Sequence, residues 1–392
     1  MLKLAKNVYH EHPFLLDWAR TAYTKYNRKK MISFSSYDRQ NAEIKENFEK
    51  ELEKIWEFRS DYEFWFYERD FERLYARHCK KKFAITANSG TAALQLSLIA
   101  AGIGKCDEVI TTPYTYIATP LAIANADAKP VFVDIDNDYN IDTSEIEEAI
   151  TENTKAIMPV HLYGQPCNMD EIMNIAKKHR LQVIEDCCQA QEVGYKNKKI
   201  PIGGGCFSFH TSKLLGGLGN GGAIVTNDKN LKRKLEILKN PTADEAFLLL
   251  SKRTPCELDA VQIAFIKAKL PFIKEWVERK REIAKIYNKE FSGTGIITPI
   301  EGKYVKHSWF SYAIRSSKRN KLQRFLLING VETRADYDTP IHLTKTFRYL
   351  GHKRDDFPES EKTANEVLCL PMNPFLKDEE VMKIARLVNS FR

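Results

Sequence analysis

No stretch of the 392-residue chain is apolar for anything like the ~20 residues that a membrane-spanning helix needs. The opening residues, Met1-Leu2-Lys3-Leu4-Ala5-Lys6, lack the apolar core and small-residue cleavage site of a secretory signal. Cys79, Cys106, Cys167, Cys187, Cys188, Cys206, Cys256 and Cys369 show neither a disulfide-framework spacing nor a C-x-x-C zinc pair. Internal repeats, low-complexity tracts and nucleic-acid-binding motifs are absent as well. These absences lead us to expect a cytoplasmic protein with no membrane span, no metal and no nucleic-acid partner, most of its cysteines serving as small buried hydrophobes. The net charge of +8 does not change that. Basic residues alternate with acidic ones, as in Glu278-Arg279-Lys280-Arg281-Glu282, which reads as solvated helix surface and leaves anionic small molecules as compatible ligands.

What is present is order. Residues 1–30 mix Phe14, Leu15, Leu16, Trp18, Tyr23 and Tyr26 with basic residues, an extension that suits a helix or two packed on the body or, alternatively, a peripheral membrane contact. A charged helical pattern runs from Asn41 to about Phe58. From Phe71 onward short β-rich runs alternate with amphipathic helices: KFAITA, SGTAALQLSLIAAGI, DEVITTP, TPLAIANAD, KPVFVDI, SEIEEAI, KAIMPVH, MDEIMNIAKKH and LQVIED. Such alternation implies an α/β unit with a mostly parallel sheet covered on both faces, whose ligands sit beyond the carboxyl ends of the strands. A long helical stretch then breaks at Pro271. After it HSWFSYAIR reads as a strand, NKLQRFLLING as a helix ending at Gly330 and KDEEVMKIARLVNSF as a closing helix. The expected domains are an extension (1–30), a large unit (31–270) and a smaller C-terminal α+β unit (271–392).

Four segments fall at the carboxyl ends of expected strands. Asn88-Ser89-Gly90-Thr91 enters a helix with free backbone N–H groups, which suits a phosphate or merely an N-cap. In Thr112-Pro113-Tyr114-Thr115-Tyr116 an aromatic can wall a flat-ring pocket or sit in the rim. Glu185-Asp186 ends an apolar strand with two acids, whose charge needs an offset: a protonated ring nitrogen beside Asp186, or a structural salt bridge. Ser208-Phe209-His210-Thr211-Ser212-Lys213 places one lysine between glycine-rich stretches, and a buried lysine amine attacks aldehydes. Pyridoxal phosphate is an aldehyde on a flat ring with a phosphate and a pyridine nitrogen, and it needs these four features together.

The series SGTAAL, TTPYTYIAT, VFVDID, EDCCQA, FSFHTSK and GNGGAIVTND, followed by TRADYDTPIHL and LPMNP, resembles the DegT/DnrJ/EryC1/StrS family of sugar aminotransferases. The resemblance covers roughly Phe71–Arg392. It implies a fold-type-I α/β enzyme, a homodimer, that uses pyridoxal 5'-phosphate to move an amino group from an amino acid, glutamate by expectation, to a nucleotide-linked keto sugar. It makes Lys213 the lysine that carries the cofactor as a Schiff base and moves protons, and Asp186 the partner of the ring nitrogen. Gln189 stands near the ring hydroxyl, Tyr116 over the ring face, and Ser89, Gly90, Thr91 and Ser208 around the phosphate. His210, Arg334, Tyr337 and His342 fall on the substrate side.

Three departures from the family stand out. Cys187 and Cys188 replace two alanines, and Asn220 stands where an acid is common. The segment SKRTPCELDAVQ lacks the asparagine that reaches the partner subunit's phosphate, leaving Arg253 or Thr254 to substitute. Two other readings predict different residues. A pyridoxamine-dependent sugar dehydratase replaces the lysine with histidine, and a non-catalytic sensor loses Lys213 or Asp186; this chain keeps both.

Overall fold

The computed structural model describes residues 31–239 and 256–391. The expectations for residues 1–30 and for Arg253 and Thr254 lie outside them. The described chain opens with helices α1 (Tyr37–Trp56) and α2 (Asp61–His78). There follow β1 (Phe83–Ala87), α3 (Gly90–Ala100), β2 (Glu108–Thr111), α4 (Ala118–Asn125), β3 (Lys129–Phe132) and β4 (Thr154–Ile157). Next come α5 (Met169–His179), β5 (Gln182–Val183), β6 (Glu185–Asp186), a small hairpin of β7 (Gly194–Tyr195) and β8 (Lys198–Lys199), then β9 (Gly205–Ser208), β10 (Gly222–Thr226) and α6 (Lys229–Lys239).

The strands form two ladders, β3-β2-β4-β5 and β6-β9-β10-β1. Ile184 joins them. Its N–H donates to the Ile157 carbonyl at 3.1 Å, and the Asp186 N–H donates to the Pro159 carbonyl at 2.9 Å, so Gln182–Asp186 runs on beside β4 as one strand. Within these two ladders every pairing is parallel except those of β10, which is antiparallel to both β9 and β1. This is the mostly parallel sheet that the alternating pattern implies. Side chains leave the strands to alternate faces. Val109 and Ile224 meet α3 through Leu94 and Leu98, while Ile110 and Val225 meet the opposite cluster of Phe71, Tyr75, Ile172 and Phe209. Both faces are therefore apolar, as a sheet covered on two sides requires.

Helix α7 (Ala260–Lys269) ends before Pro271, and α8 (Ile273–Phe291) begins beyond it; the proline has no N–H to continue the ladder. A second core follows, around the antiparallel pair β12 (Tyr312–Arg315) and β13 (Val367–Leu370), with β11 (Val305–Lys306) before it. Helices α8, α9 (Arg319–Ile328) and α11 (Asp378–Ser390) cover it, with α10 (Pro358–Glu366) leading into β13; Tyr287, Leu322, Leu368 and Ile384 are its buried centre. Ile32 bridges to Val331 in this core.

Two expected elements shrink. SEIEEAI is no helix but a 3-10 turn at Glu147–Ala149, because Asp142 captures both the N–H and the hydroxyl of Ser144, at 2.9 and 2.7 Å, in a turn that competes with a helical start. HSWFSYAIR becomes a strand only from Tyr312. Trp309 takes a left-handed φ of 53°, and its N–H is caught by His307 Nδ1 at 2.7 Å, so the chain turns before it pairs.

Candidate active site

A cavity of about 350 Å³ opens where the carboxyl ends of β1, β2, β6 and β9 meet the second core. The sheet brings the four candidate segments to one place. Ser89, Gly90, Thr91, Tyr116, Asp186, Gln189, Ser208, His210, Lys213, Arg334 and Tyr337 all line it. His342 does not, and this corrects its placement on the substrate side. It is buried against Phe357, with Nε2 at 3.0 Å from Glu361. Those contacts occupy the ring in packing and hold it away from the cavity.

The first wall is a helix start. Ser89 caps α3, its Oγ accepting the Ala92 N–H at 3.1 Å. The first-turn amides of a helix have no acceptor within it, so Gly90 and Thr91 present the positive end of α3 to the cavity. Gly90 is required here: an added Cβ would stand 2.8 Å from the Ser208 Cβ and 3.0 Å from the Cys188 Sγ. Opposite, Ser208 ends β9, where its register partner is Gly222 of β10. The chain between these two residues is the loop that carries Lys213.

Of the two acids ending the central strand, the structure separates the roles. Glu185 is fully buried, and it accepts the N–H groups of Ile202 and Gly203 at 2.9 and 2.8 Å. His161 Nε2 lies 3.2 Å away, while His161 Nδ1 accepts the Cys167 N–H, which leaves the ring proton on Nε2 to face Glu185. His161, Glu185 and Cys187 offer ligand-type atoms within 4.8 Å of one another, yet the hydrogen bonds of the pair are all made inside the fold. Asp186 faces the cavity instead. It accepts the Cys188 N–H at 3.0 Å and the Thr119 hydroxyl at 2.8 Å. Thr119 in turn lies 3.0 Å from the Thr115 hydroxyl, which therefore donates to it. Among the described residues no lysine, arginine or histidine pairs with Asp186, so a structural salt bridge does not account for this buried carboxylate.

Lys213 is partly buried, its Nζ 4.7 Å from the centre of the Phe310 ring. Burial lowers its pKa from the ordinary lysine value, with Cys188, Asp186 and Asp336 opposing the shift, which favours the unprotonated nucleophile. Its neighbour His210 has its pKa lowered too, by burial first and then by Lys213; its Nδ1 is taken up by Ser212 at 2.8 Å. Tyr116 is 56% exposed, into the opening, with its ring 6.0 Å from that of Tyr337. Gln189 is held at both ends: its Oε1 accepts the Tyr163 N–H at 2.9 Å and its Nε2 donates to the Tyr337 hydroxyl at 3.1 Å. Arg334 stacks its guanidinium 4.4 Å over the Phe34 ring, and no carboxylate pairs with it among the described residues.

Sequence reasoning missed several lining residues. Thr119 sits inside the TTPYTYIAT motif and could have been found as a threonine one helical turn past Thr115. Phe310 and Lys280 arrive from the second core, and nothing local in the sequence places them here. The chemical sum is a flat-sided cavity with an amine, an unpaired carboxylate, an exposed aromatic and a helix N-terminus.

The profile of the DegT/DnrJ/EryC1/StrS aminotransferase family matches residues 42–389. A dTDP-3-amino-3,6-dideoxy-alpha-D-galactopyranose transaminase of Aneurinibacillus thermoaerophilus is 39% identical over 325 residues, 82% of this chain and 89% of its own. A pleiotropic regulatory protein of Geobacillus stearothermophilus is 40% identical over 333 residues, 83% of this chain and 89% of its own. Among solved structures, S. venezuelae DesV in complex with a ketimine intermediate superposes with a TM-score of 0.86 at 30% identity, covering 92% of this chain and 98% of that one.

Proposed function

The chain belongs to the DegT/DnrJ/EryC1/StrS aminotransferase family, and from that premise we propose a division of labour among its cavity residues. The protein is a pyridoxal phosphate-dependent aminotransferase of nucleotide-linked keto sugars. The convergence of Lys213 and the unpaired Asp186 on one cavity is the observation that carries this reading. The transaminase activity named for its 39%-identical relative supports it. So does the DesV structure, which holds a ketimine intermediate.

The residues present fit the cofactor. Gly90, Thr91 and Ser208 form a cradle too tight for a Cβ at position 90, and they would hold the phosphate at the start of α3. Tyr116 would cover one ring face, and Gln189 would stand by the ring hydroxyl. Lys213 would bind the aldehyde carbon. When bound, pyridoxal phosphate supplies an electron sink for charge that develops beside the transferred nitrogen. Asp186 would keep the ring nitrogen protonated by holding a negative charge there, and the Thr115–Thr119 hydroxyls and the Cys188 N–H fix the orientation of its carboxylate. Lys213 would also move a proton to or from the substrate carbon as general acid and base. The low-dielectric setting that lowers its pKa suits both duties. His210, Arg334 and Tyr337 border the substrate side, with Arg334 free to take an anionic group. We place the donor as glutamate, the reaction in the cytoplasm and the assembly as a homodimer; residues 31–270 and 271–392 are proposed as its large and small units.

The test has three parts. The purified protein is expected to absorb in the visible, and borohydride should fix the cofactor to Lys213 by peptide mass. Glutamate and glutamine are then offered as donors, and a panel of nucleotide-linked keto sugars as acceptors, with products read by mass spectrometry. A colourless protein that borohydride leaves unlabelled would overturn the assignment.

A further inference from the structure

Three glycines follow Lys213 within six residues, and the structure shows what two of them accommodate. A Cβ at Gly216 would run into the carbonyl oxygens of His210, Thr211 and Lys213, and one at Gly217 into the Gln262 Oε1. The loop is coiled on itself and pressed against α7. We propose that one face of α7, through Lys269 and Gln262, positions the loop that carries Lys213; this rests on the reading of Lys213 as the cofactor-bearing residue.

Lys269 is 1% exposed, and no carboxylate pairs with it among the described residues. Its Nζ donates to the Gly216 carbonyl at 2.6 Å and lies 4.4 Å from the centre of the Phe265 ring. An amine buried this way is costly unless its hydrogen bond matters, and burial pushes its pKa down to about 7. Gln262 stands seven residues earlier, two turns along the same face, and its Oε1 accepts the Gly219 N–H at 3.0 Å. The two side chains thus hold both ends of the glycine turn. The link to Lys213 is a single residue long: the Gly216 N–H donates to the Lys213 carbonyl at 2.8 Å, while the Gly216 carbonyl takes Lys269. From the other side Gln191 accepts the Leu215 N–H at 2.8 Å and donates to the Ser208 carbonyl at 3.3 Å. Helix α7 is itself fixed to α1 through Phe265 on Phe48, ring centres 5.0 Å apart, and Lys267 on Glu51 at 2.7 Å. A displacement of the strap therefore reaches the reacting amine directly, where an ångström is worth about 10²-fold in rate.

The experiment compares Lys269→Met, Lys269→Arg and Gln262→Leu with the wild type. In protein stripped of cofactor, hydrogen exchange is read on the peptide spanning residues 208–219. In the loaded protein, the pH midpoint of the visible band and the single-turnover rate with glutamate are read. Lys269→Met is expected to speed exchange in that peptide, shift the midpoint and slow the single turnover by about 10–100-fold, with donor KM within about threefold. Lys269→Arg, which keeps a cationic donor, should recover most of the rate, and Gln262→Leu should move the same readouts less. A folded Lys269→Met with wild-type exchange and midpoint overturns the proposal. If that variant does not fold, wild-type exchange and midpoint in Gln262→Leu overturn it instead. If the wild type shows no visible band, the cofactor assignment fails, and the exchange measurement still decides whether the strap orders the loop.

Discussion

Replacing Asp186 with asparagine should separate chemistry from folding. Asp186 accepts from two donors, the Cys188 N–H and the Thr119 hydroxyl. An asparagine can leave its carbonyl oxygen on the Cys188 N–H and turn its NH2 toward Thr119. The Thr119 hydroxyl then rotates to accept, and Thr115, 3.0 Å away, changes from donor to acceptor. No buried donor is left facing another, but the Thr115 hydroxyl proton loses its acceptor, so the loss of stability should stay within the roughly 1–3 kcal/mol of one unsatisfied group. Catalysis has no such escape. Removing one charge of a buried pair costs about 3–5 kcal/mol, which at 1.36 kcal/mol per decade is about 10²–10⁴-fold in kcat. Urea unfolding of the cofactor-free protein gives the first number, and steady-state kinetics with donor and keto sugar give the second. A variant whose kcat falls less than tenfold with the fold intact would refute the role of the charge. A variant destabilised by more than 3 kcal/mol would refute the hydroxyl reversal.

Lys213→Ala should fold normally yet lose turnover, with partial rescue by added primary amines; turnover well above background without them would contradict the lysine's role. Gly90→Ala brings a Cβ to 2.8 Å from that of Ser208, so cofactor affinity, followed by absorbance titration, should fall by about tenfold or more, in line with overpacking costs of about 1–3 kcal/mol. Lys280 is buried without a carboxylate partner among the described residues, and burial lowers its pKa to about 7. Its unfolded pKa is near 10.4, so between these values the unfolded chain binds the extra proton and stability from this group rises with pH. Lys280→Met should flatten that rise by an amount on the order of 1–2 kcal/mol between pH 7 and 9, seen in urea midpoints. A chain beginning at Met31 should still fold, bind cofactor and turn over; a well-folded, cofactor-loaded but inactive product would make residues 1–30 part of the active site.

Much of this was legible in the chain because it is locally encoded. The β-rich runs and amphipathic helices gave the layered sheet, and strand ends gave Gly90, Tyr116, Asp186 and Lys213, since ligands of such sheets gather there. The family resemblance pointed to Asp186 over Glu185, but the sequence did not show what would occupy Glu185. The two are adjacent, and only the arrival of His161 from a separate segment shows which one is internally paired. His342 misled for the opposite reason: it sits in a suggestive motif, but its ring turns toward Glu361. Lys280, Phe310 and Lys269 were invisible because helix–loop packing over long sequence separations decides where a lysine on an ordinary amphipathic helix ends up.

The pairing of β10 has a consequence for the order of folding. Strands β9 and β10 are joined directly, so their ladder closes a short loop, whereas β1 pairs with β10 across well over a hundred residues, from Phe83↔Thr226 to Ala87↔Gly222. Contacts that distant in sequence form slowly, since loop-closure entropy precedes any gain from them. Ser208 belongs to the early ladder and Gly90 follows the late strand, so the proposed phosphate cradle exists only once the sheet has closed at its edge. Cofactor capture during refolding should therefore trail the gain of secondary structure and mark the completed sheet. A ligand that binds only the finished arrangement also draws the equilibrium toward it.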